Sequence, residues 1–377
     1  MRVSLPQTPL PQTVVAVPAR NEAERISRTV RALAAQVGAD GRPLEGHEVW
    51  ILVNNSTDET AVRAARAIPA GCPVQVMTCT LPPGSDNVVG ARRAALDLAA
   101  ARLGGNPDGL IVTTDADSVP APDWLRHLRT AVRSGADVAC GRILLCPDER
   151  ARLPAPVRRV YLQDAAYRLA AEQLTARLNP DPLDPWPRHH QQFGANLALT
   201  LRAYREVGGV PDVPHLEDVA LIRRLRRHDL RVRRTPHARV HTSARLSGRV
   251  PLGLSTQLAE WHADPAAWQV PGAAEVAALA RAEAALRQAR GQGWRSALPG
   301  LWLAPPAALR GALRAPTLGL ALEAAHAARL ASGRWAERFA PVPVARALAE
   351  VRRELQAAAP ERRPFSQDAG LLSTSSR

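Results

Sequence analysis

The chain has 377 residues, 46% of them hydrophobic, so it is long and apolar enough to bury a full core, and global disorder is excluded. Its net charge is +14 and its isoelectric point about 11.2, which favours an anionic partner such as nucleic acid, an anionic membrane or nucleotide phosphates. All 49 basic residues are arginine, which excludes lysine nucleophiles and P-loop lysines, and their scatter among few aromatic residues disfavours nucleic acid.

The cysteines and the N-terminal residues indicate the cellular compartment in which we expect the protein. Cys72, Cys79, Cys140 and Cys146 lack the spacing of a metal site and fall in or beside predicted strands, as buried thiols in a reducing compartment do. The first 13 residues contain one arginine and three prolines without an apolar core, and no run of 18 apolar residues occurs. We therefore expect a cytoplasmic protein without a signal peptide or spanning helix.

Strands and helices alternate along the first part of the chain. Apolar strands are predicted over residues 13–17, 48–53, 74–79 and 110–113, each followed by a polar turn and a helix. The helices are predicted to end near residue 36, to cover 59–67 and 87–103, and to begin at 123. This alternation indicates a doubly wound, mostly parallel α/β sheet, whose polar strand ends gather along one rim.

The pattern continues less regularly and then changes. We predict a strand over 137–145, a helix over 157–178, a strand ending at 200, a helix over 216–228, and short strands over 231–234 and 238–241. Beyond about residue 250 the sequence is rich in Ala, Leu and Arg. We therefore divide the chain into an α/β domain (1–250), a helical region (251–360) and a disordered Ser/Arg-rich tail (361–377).

The acidic pair in TTDADS follows the predicted strand over 110–113. If that segment is extended, Asp115 and Asp117 project to the same side. A hard divalent cation held by two carboxylates keeps positions free for diphosphate oxygens. A surface turn followed by a helix cap is the alternative.

Five motifs, VVAVPARNE, VNNSTDET, TTDADS, GANLALT and HLEDVAL, occur in the order and spacing found in family 2 glycosyltransferases of the GT-A fold, which residues 13–245 resemble. The resemblance implies a GT-A catalytic domain in residues 1–250, with a helical C-terminal extension. It implies a glycosyltransferase that moves a single sugar from a nucleoside diphosphate sugar to an acceptor hydroxyl with inversion, assisted by Mn²⁺ or Mg²⁺. The Q-x-x-R-W motif of the membrane-embedded synthases does not occur, which favours single transfer.

The resemblance also implies donor-side residues. Asn54 and Asn55 stand where the family has Asp-Asp, and an amide oxygen can accept a hydrogen bond from uracil N3–H, so uridine is the expected base. Asp117 would bind the metal directly, and Asp115 the ribose, or the metal through water. His241 is either a third metal ligand or a strand-end histidine without that role. The remaining residues implied to contact the donor are Pro18, Ala19, Arg20, Glu22, Arg245 and Arg249.

On the acceptor side, the resemblance makes Asp218 the general base and Glu217 the neighbour that orients the acceptor, although both residues also suit a helix start. Other polar residues have simpler explanations. We expect Asp58 to cap a helix, and Arg92 and Arg93 to lie on a solvated helix face. His189, His190 and Asn196 either line the acceptor pocket or belong to an ordinary loop.

Two other functions stay open. A sugar-phosphate nucleotidyltransferase would place a glycine-rich basic loop after the first strand, where PARNEAER has no glycine. A non-catalytic nucleotide-sugar-binding protein would not need Asp115, Asp117 and Asp218 together. The expected partners are a nucleoside diphosphate sugar and an unidentified acceptor, without nucleic acid. The arginine-rich C-terminal helices also suggest peripheral contact with the anionic inner face of a membrane.

Overall fold

The computed structural model describes residues 12–247 and 252–357. Within the first range, eight strands form one sheet in the order β3-β2-β1-β4-β7-β6-β8-β5. The strands are β1 (Thr13–Ala19), β2 (His47–Asn54), β3 (Val74–Cys79), β4 (Leu110–Thr113), β5 (Val119–Pro120), β6 (Val138–Leu145), β7 (Leu197–Thr200) and β8 (Val232–Thr242). The first four strands are parallel, as the alternation of strands and helices predicts, and β7 runs antiparallel to β4 and β6.

Eight helices accompany these strands in the same range. They are α1 (Ile26–Ala34), α2 (Thr60–Arg66), α3 (Val88–Leu103), α4 (Trp124–Arg133), α5 (Pro147–Arg152), α6 (Ala155–Leu178), α7 (Leu201–Glu206) and α8 (Glu217–Arg227). The two short strands predicted over 231–234 and 238–241 are one strand, β8, whose pairing with β6 shifts register between Gly141 and Arg142. A bulge of this kind bends a strand without ending it.

Apolar side chains cover both faces of the sheet. In β1, Val15 and Val17 pack with α1, α2 and α4, whereas Val14 and Ala16 pack with α3, α7 and α8. Strands buried on both faces are nearly continuous apolar runs, which is why VVAV and WILV are readable in the sequence. The doubly wound α/β architecture is therefore confirmed, and it brings the carboxyl ends of β1, β2 and β4 to one rim.

The described C-terminal residues 252–357 are mostly helical, as predicted. Their elements are α9 (Leu254–Ala263), α10 (Ala273–Gln292), α11 (Leu298–Trp302), α12 (Pro306–Leu313), α13 (Leu318–Ala331), α14 (Arg334–Arg338) and α15 (Val344–Ala357), with a small ribbon of β9 (Gln269–Val270) and β10 (Val342–Pro343). Helices α10 and α15 pack on α6 through an apolar cluster that includes Tyr167 and Leu174. The tail predicted to be disordered lies outside the described residues, and the domain boundaries stay predictions.

No helix among the described residues is both long enough and apolar enough to span a membrane. Of the four cysteines, all free, Cys140 and Cys146 are buried and Cys72 and Cys79 are half-buried.

Candidate active site

The loops after β1 and β2 are tied together at the rim. Asn21, in a left-handed conformation with φ 51°, accepts a hydrogen bond from the Thr57 amide at 2.8 Å through Oδ1. The Glu22 amide donates to Thr60 Oγ1 at 2.7 Å. Asp58 accepts hydrogen bonds from the Thr60 and Ala23 amides, but the N-cap of α2 is Glu59, so the prediction that Asp58 caps this helix is wrong and its carboxylate instead ties the two loops together. These contacts fix the backbone from which Glu22 reaches inward.

Asp115 and Asp117 lie in a turn after β4, so the predicted reason for their pairing, alternation along an extended strand, is wrong. Pairing with β1 ends at Thr113, and the Ser118 amide turns back to the Asp115 carbonyl at 3.0 Å. The Asp117 side chain is 7% exposed and accepts hydrogen bonds from Ser243 Oγ at 2.6 Å and Thr242 Oγ1 at 3.3 Å. Asp115 is more open, with 37% of its side chain exposed.

Arg245 bridges two carboxylates at this turn. Its Nη2 lies 2.9 Å from Asp117 Oδ2, and its Nη1 donates to Glu22 Oε1 at 3.1 Å. Burial acts against its charge, but Asp117, Glu22 and Asp115 together raise the pKa of Arg245. The guanidinium therefore sits where three carboxylates converge and is firmly protonated. It contacts protein acids here and is 22% exposed.

Arg92 is buried in the site, which corrects the prediction that it lies on a solvated helix face. Its Nη2 donates to Asp115 Oδ1 and its Nε to Glu217 Oε1, both at 2.8 Å. Its Nη1 donates to Thr113 Oγ1 and to the Gly194 carbonyl, both at 3.2 Å. Burial disfavours its charge, but Asp115, Glu217 and Asp218 raise the pKa of Arg92 overall. Arg92 thus connects the end of β4 to the start of α8.

The surroundings of Gly194 explain why the GAN motif begins with glycine. A Cβ built at this position would lie 2.5 Å from Arg92 Cζ, a distance that only glycine avoids. Its amide donates to Asp218 Oδ2 at 2.7 Å while its carbonyl accepts from Arg92. One residue therefore holds the acidic group of α8 and the arginine of α3 side by side.

The acidic residues at the start of α8 differ in environment. Glu217 is 4% exposed and faces Arg92, whereas Asp218 is half-buried and accepts from the Gly194 and Val219 amides. Burial raises the pKa of Asp218, and Arg92 and the Gly194 amide lower it without cancelling that effect. Leu216, just before them, is 41% exposed and left-handed with φ 57°, which is strained for a leucine.

Asn54 and Asn55 are not equivalent. Asn55 Nδ2 donates to the Leu81 carbonyl at 3.1 Å and Oδ1 accepts from the Leu81 amide at 2.9 Å, so both ends of its amide hold the fold. Base recognition by Asn55 would need a free amide oxygen, whereas this oxygen is already bonded to Leu81. Asn54 is 1% exposed, and its Oδ1 is buried without a hydrogen-bond partner among the described residues. Such an atom costs about 1–3 kcal/mol unless something outside the protein satisfies it.

The predicted third metal ligand lies close to Asp117. His241, near the end of β8, lines a small pocket with Asp117, Cys146 and Glu149. Burial, with Arg239 and Arg150, lowers the pKa of His241, which favours the neutral imidazole that metals bind. Even so, residues 12–247 and 252–357 hold no group of three or more His, Cys, Asp or Glu side chains placed to bind a metal ion. Asp115, Asp117 and His241 are thus not assembled as a ligand trio.

The other predicted residues are placed as follows. Pro18 and Ala19 close β1, Arg20 donates to the Asp86 carbonyl, and Arg93 pairs with Asp212 at 2.9 Å. Arg249 lies outside the described residues.

Two residues considered for the acceptor pocket support the fold instead. Asn196 is 0% exposed and binds Trp124 Nε1 and two carbonyls. His189 is 3% exposed, and burial lowers its pKa to about 4.

Sequence reasoning missed the roles of Arg92, Thr242 and Ser243. Thr242 and Ser243 do not belong to any of the five motifs. Arg92 carried one weak signal, since it falls among the small residues of the α3 face that packs on the sheet, where an arginine needs acidic partners.

Comparison with known proteins finds a family similarity in the first part of the chain. Residues 14–182 match the model of glycosyl transferase family 2. No curated protein sequence matches this chain significantly.

Solved structures that resemble the chain include a mannosyltransferase from Pyrobaculum calidifontis in complex with GDP-Man and Mn²⁺, at 19% identity and a TM-score of 0.41, over 94% of this chain and 83% of that one. Another is glucosyl-3-phosphoglycerate synthase from Mycobacterium tuberculosis with Mn²⁺, UDP-Glc and phosphoglyceric acid, at 15% identity and a TM-score of 0.39, over 66% of this chain and 77% of that one. Residues 14–182, which contain nearly all of the first four strands and the acidic turn after β4, are thus similar to glycosyl transferase family 2.

Proposed function

We propose that the protein transfers one sugar, with inversion, from a nucleoside diphosphate sugar to an acceptor hydroxyl, and that Asp218 is the general base. The observation that carries this proposal is the junction at Arg92 and Gly194, where Arg92 contacts Asp115 and Glu217, and Gly194 contacts Arg92 and Asp218. Asp115 and Asp218, which are far apart in the sequence, are thereby held at the same junction. Inverting transfer needs this arrangement, because the hydroxyl is deprotonated on the side opposite the departing diphosphate.

The donor set suits a hard divalent cation, Mn²⁺ or Mg²⁺. Arg92 is shared by Asp115 and Glu217, and Arg245 by Glu22 and Asp117, so four carboxylates gather at this rim. Oxygen ligands are those that these cations prefer. Asp115 and Asp117 would hold the ion, with His241 next to them. The bound ion would supply charge neutralisation for the leaving diphosphate.

The residues of the chain supply the remaining steps. Asp218 accepts the proton of the attacking hydroxyl, and its raised pKa makes it a stronger base than an ordinary carboxylate. Arg92 holds Asp115 and Glu217 in place. Asn54 Oδ1, buried and unpartnered, is suited to accept N3–H of uracil, which supports UDP as the nucleotide. Arg20 and Glu22 lie beside the same strand ends.

A nucleotide-release screen tests the proposal. UDP-, GDP- and dTDP-sugars are incubated with the protein with and without Mn²⁺, alongside Asp218→Asn. We expect metal-dependent release from UDP-sugars that Asp218→Asn reduces strongly. Release that is independent of Asp218 would contradict the assignment of the base. Pyrophosphate release from UTP and sugar phosphates would instead indicate a nucleotidyltransferase.

A further inference from the structure

We infer that Arg245 is an exchangeable internal cation, which occupies the divalent-cation position in the free protein and must leave it when the metal binds. This inference rests on the proposed function, because it takes Asp117 as a metal ligand. The first observation is geometric: the guanidinium lies 2.9 Å from Asp117 and 3.1 Å from Glu22, on the carboxylate that the metal would need.

A guanidinium and a metal ion cannot both occupy this place. Asp117 Oδ1 accepts from Thr242 Oγ1 at 3.3 Å, and Oδ2 also accepts from Ser243 Oγ at 2.6 Å, so both acceptor positions of Oδ2 are occupied. A divalent ion at about 2.0–2.5 Å from this oxygen would require the guanidinium to withdraw. Metal binding in the absence of nucleotide is therefore opposed by the Arg245 ion pairs.

The position of Arg245 in the fold permits this withdrawal. It follows the end of β8 by three residues, and its side chain is 22% exposed, whereas that of Arg92 is 7% exposed and makes contacts with four residues. Arg92 is held from several elements, whereas the ion-pair partners of Arg245 within the described residues are Glu22 and Asp117. The two guanidinium groups thus have different roles, one fixed and one exchangeable.

Release of Arg245 couples the metal to the nucleotide. Once it leaves Glu22 and Asp117, the guanidinium needs another anion, and a diphosphate bound at the same rim offers one through bidentate hydrogen bonds. Bound nucleotide then stabilises the released arginine and so raises the affinity for the metal. The metal raises the affinity for the nucleotide by the same factor. Arg245 would make this coupling positive.

The experiment measures Mn²⁺ affinity by the paramagnetic resonance signal of the free ion, with and without UDP. Without UDP, Arg245→Gln should bind Mn²⁺ about 5-fold or more tightly than the wild type, a typical coupling between two sites. Arg245→Lys, which keeps a cation, should stay closer to the wild type. Arg93→Gln, a surface arginine paired with Asp212, is the matched control and should leave the affinity unchanged. UDP should improve Mn²⁺ binding less in Arg245→Gln than in the wild type.

The outcomes separate the two proposals. If Asp117→Asn abolishes Mn²⁺ binding but folded Arg245→Gln binds Mn²⁺ no more tightly than the wild type, the exchange is contradicted and the metal site stands. If Asp117→Asn binds Mn²⁺ as the wild type does, the metal assignment fails and the exchange fails with it. Thermal unfolding of each variant establishes that it is folded.

Discussion

Two arginines hold the acidic rim together, and they differ in how firmly the fold holds them. Arg92 comes from the second turn of the sheet-packed helix α3 and bridges Asp115 to Glu217, whereas Arg245 comes from a chain segment beyond β8 and bridges Asp117 to Glu22. The first is 7% and the second 22% exposed. Arg92 thus fixes Asp115 to Glu217 through buried ion pairs, whereas the more exposed ion pairs of Arg245 are the ones that we propose a ligand replaces.

The largest predicted effect tests the acceptor side. Asp218→Asn removes the proposed base but keeps a side chain that can still meet the Gly194 amide through its oxygen. We expect the turnover number to fall by about 10²–10⁴-fold, as for other general bases. Steady-state nucleotide release measures this change. A loss of less than about tenfold would show that another group accepts the proton.

Arg92→Gln should break the buried ion pairs of Arg92. It leaves Glu217, 4% exposed, as a buried unpaired charge, and breaking such a pair costs about 3–5 kcal/mol of unfolding free energy. Arg92 also lowers the pKa of Asp218, so its removal raises that pKa further. Because the base must be ionised, the acid limb of the pH–rate profile should move to higher pH.

The control for this variant is on the same helix. Arg102→Gln breaks the pair with Glu48, which lies away from the rim at the other end of α3, and the Arg102 side chain is 3% exposed. It should destabilise the protein in a denaturant titration, yet leave the acid limb where it is in the wild type. If the acid limb shifts equally in Arg92→Gln and Arg102→Gln, the shift is caused by general destabilisation of the fold and not by the loss of Arg92 beside Asp218.

Asn54→Ala should affect the nucleotide more than the fold. Because Asn54 Oδ1 has no protein partner among the described residues, its loss removes a hydrogen bond only when uracil is bound. We expect UDP affinity to fall about tenfold, the value of roughly one buried hydrogen bond. Calorimetry with UDP measures it. Asn55→Ala is the contrast: it loses two bonds to Leu81 and should lower thermal stability.

The smallest effect is expected at Asp58. Asp58→Ala removes the acceptor of the Thr60 and Ala23 amides and should cost about 1 kcal/mol of unfolding free energy, a typical net contribution of a hydrogen bond. Turnover of the folded variant should be unchanged in the nucleotide-release assay. A large loss of turnover without destabilisation would place Asp58 in the site and not at the helix start.

The architecture is readable from the sequence because buried parallel strands leave a strong local signal. The apolar runs at β1, β2 and β4, each followed by polar residues, predict both the sheet and the rim. Contacts between distant segments leave no such signal. That Arg92 is buried depends on Asp115 and Glu217, 23 and 125 residues away, and the hydrogen bonds of Asn55 to Leu81 depend on a loop after β3. A local pattern cannot distinguish an exposed arginine from one whose partners arrive from elsewhere.

The proposed transfer requires two sets of carboxylates that act on opposite sides of one sugar, and a comparison of donor binding with turnover tests this directly. With Mn²⁺ and a UDP-sugar that the wild type uses, Asp117→Asn should lose metal-dependent donor binding, whereas Asp218→Asn should bind the donor as the wild type does and fail to release UDP. If Asp218→Asn instead loses donor binding together with Asp117→Asn, or turns over at the wild-type rate, the two-sided arrangement is contradicted.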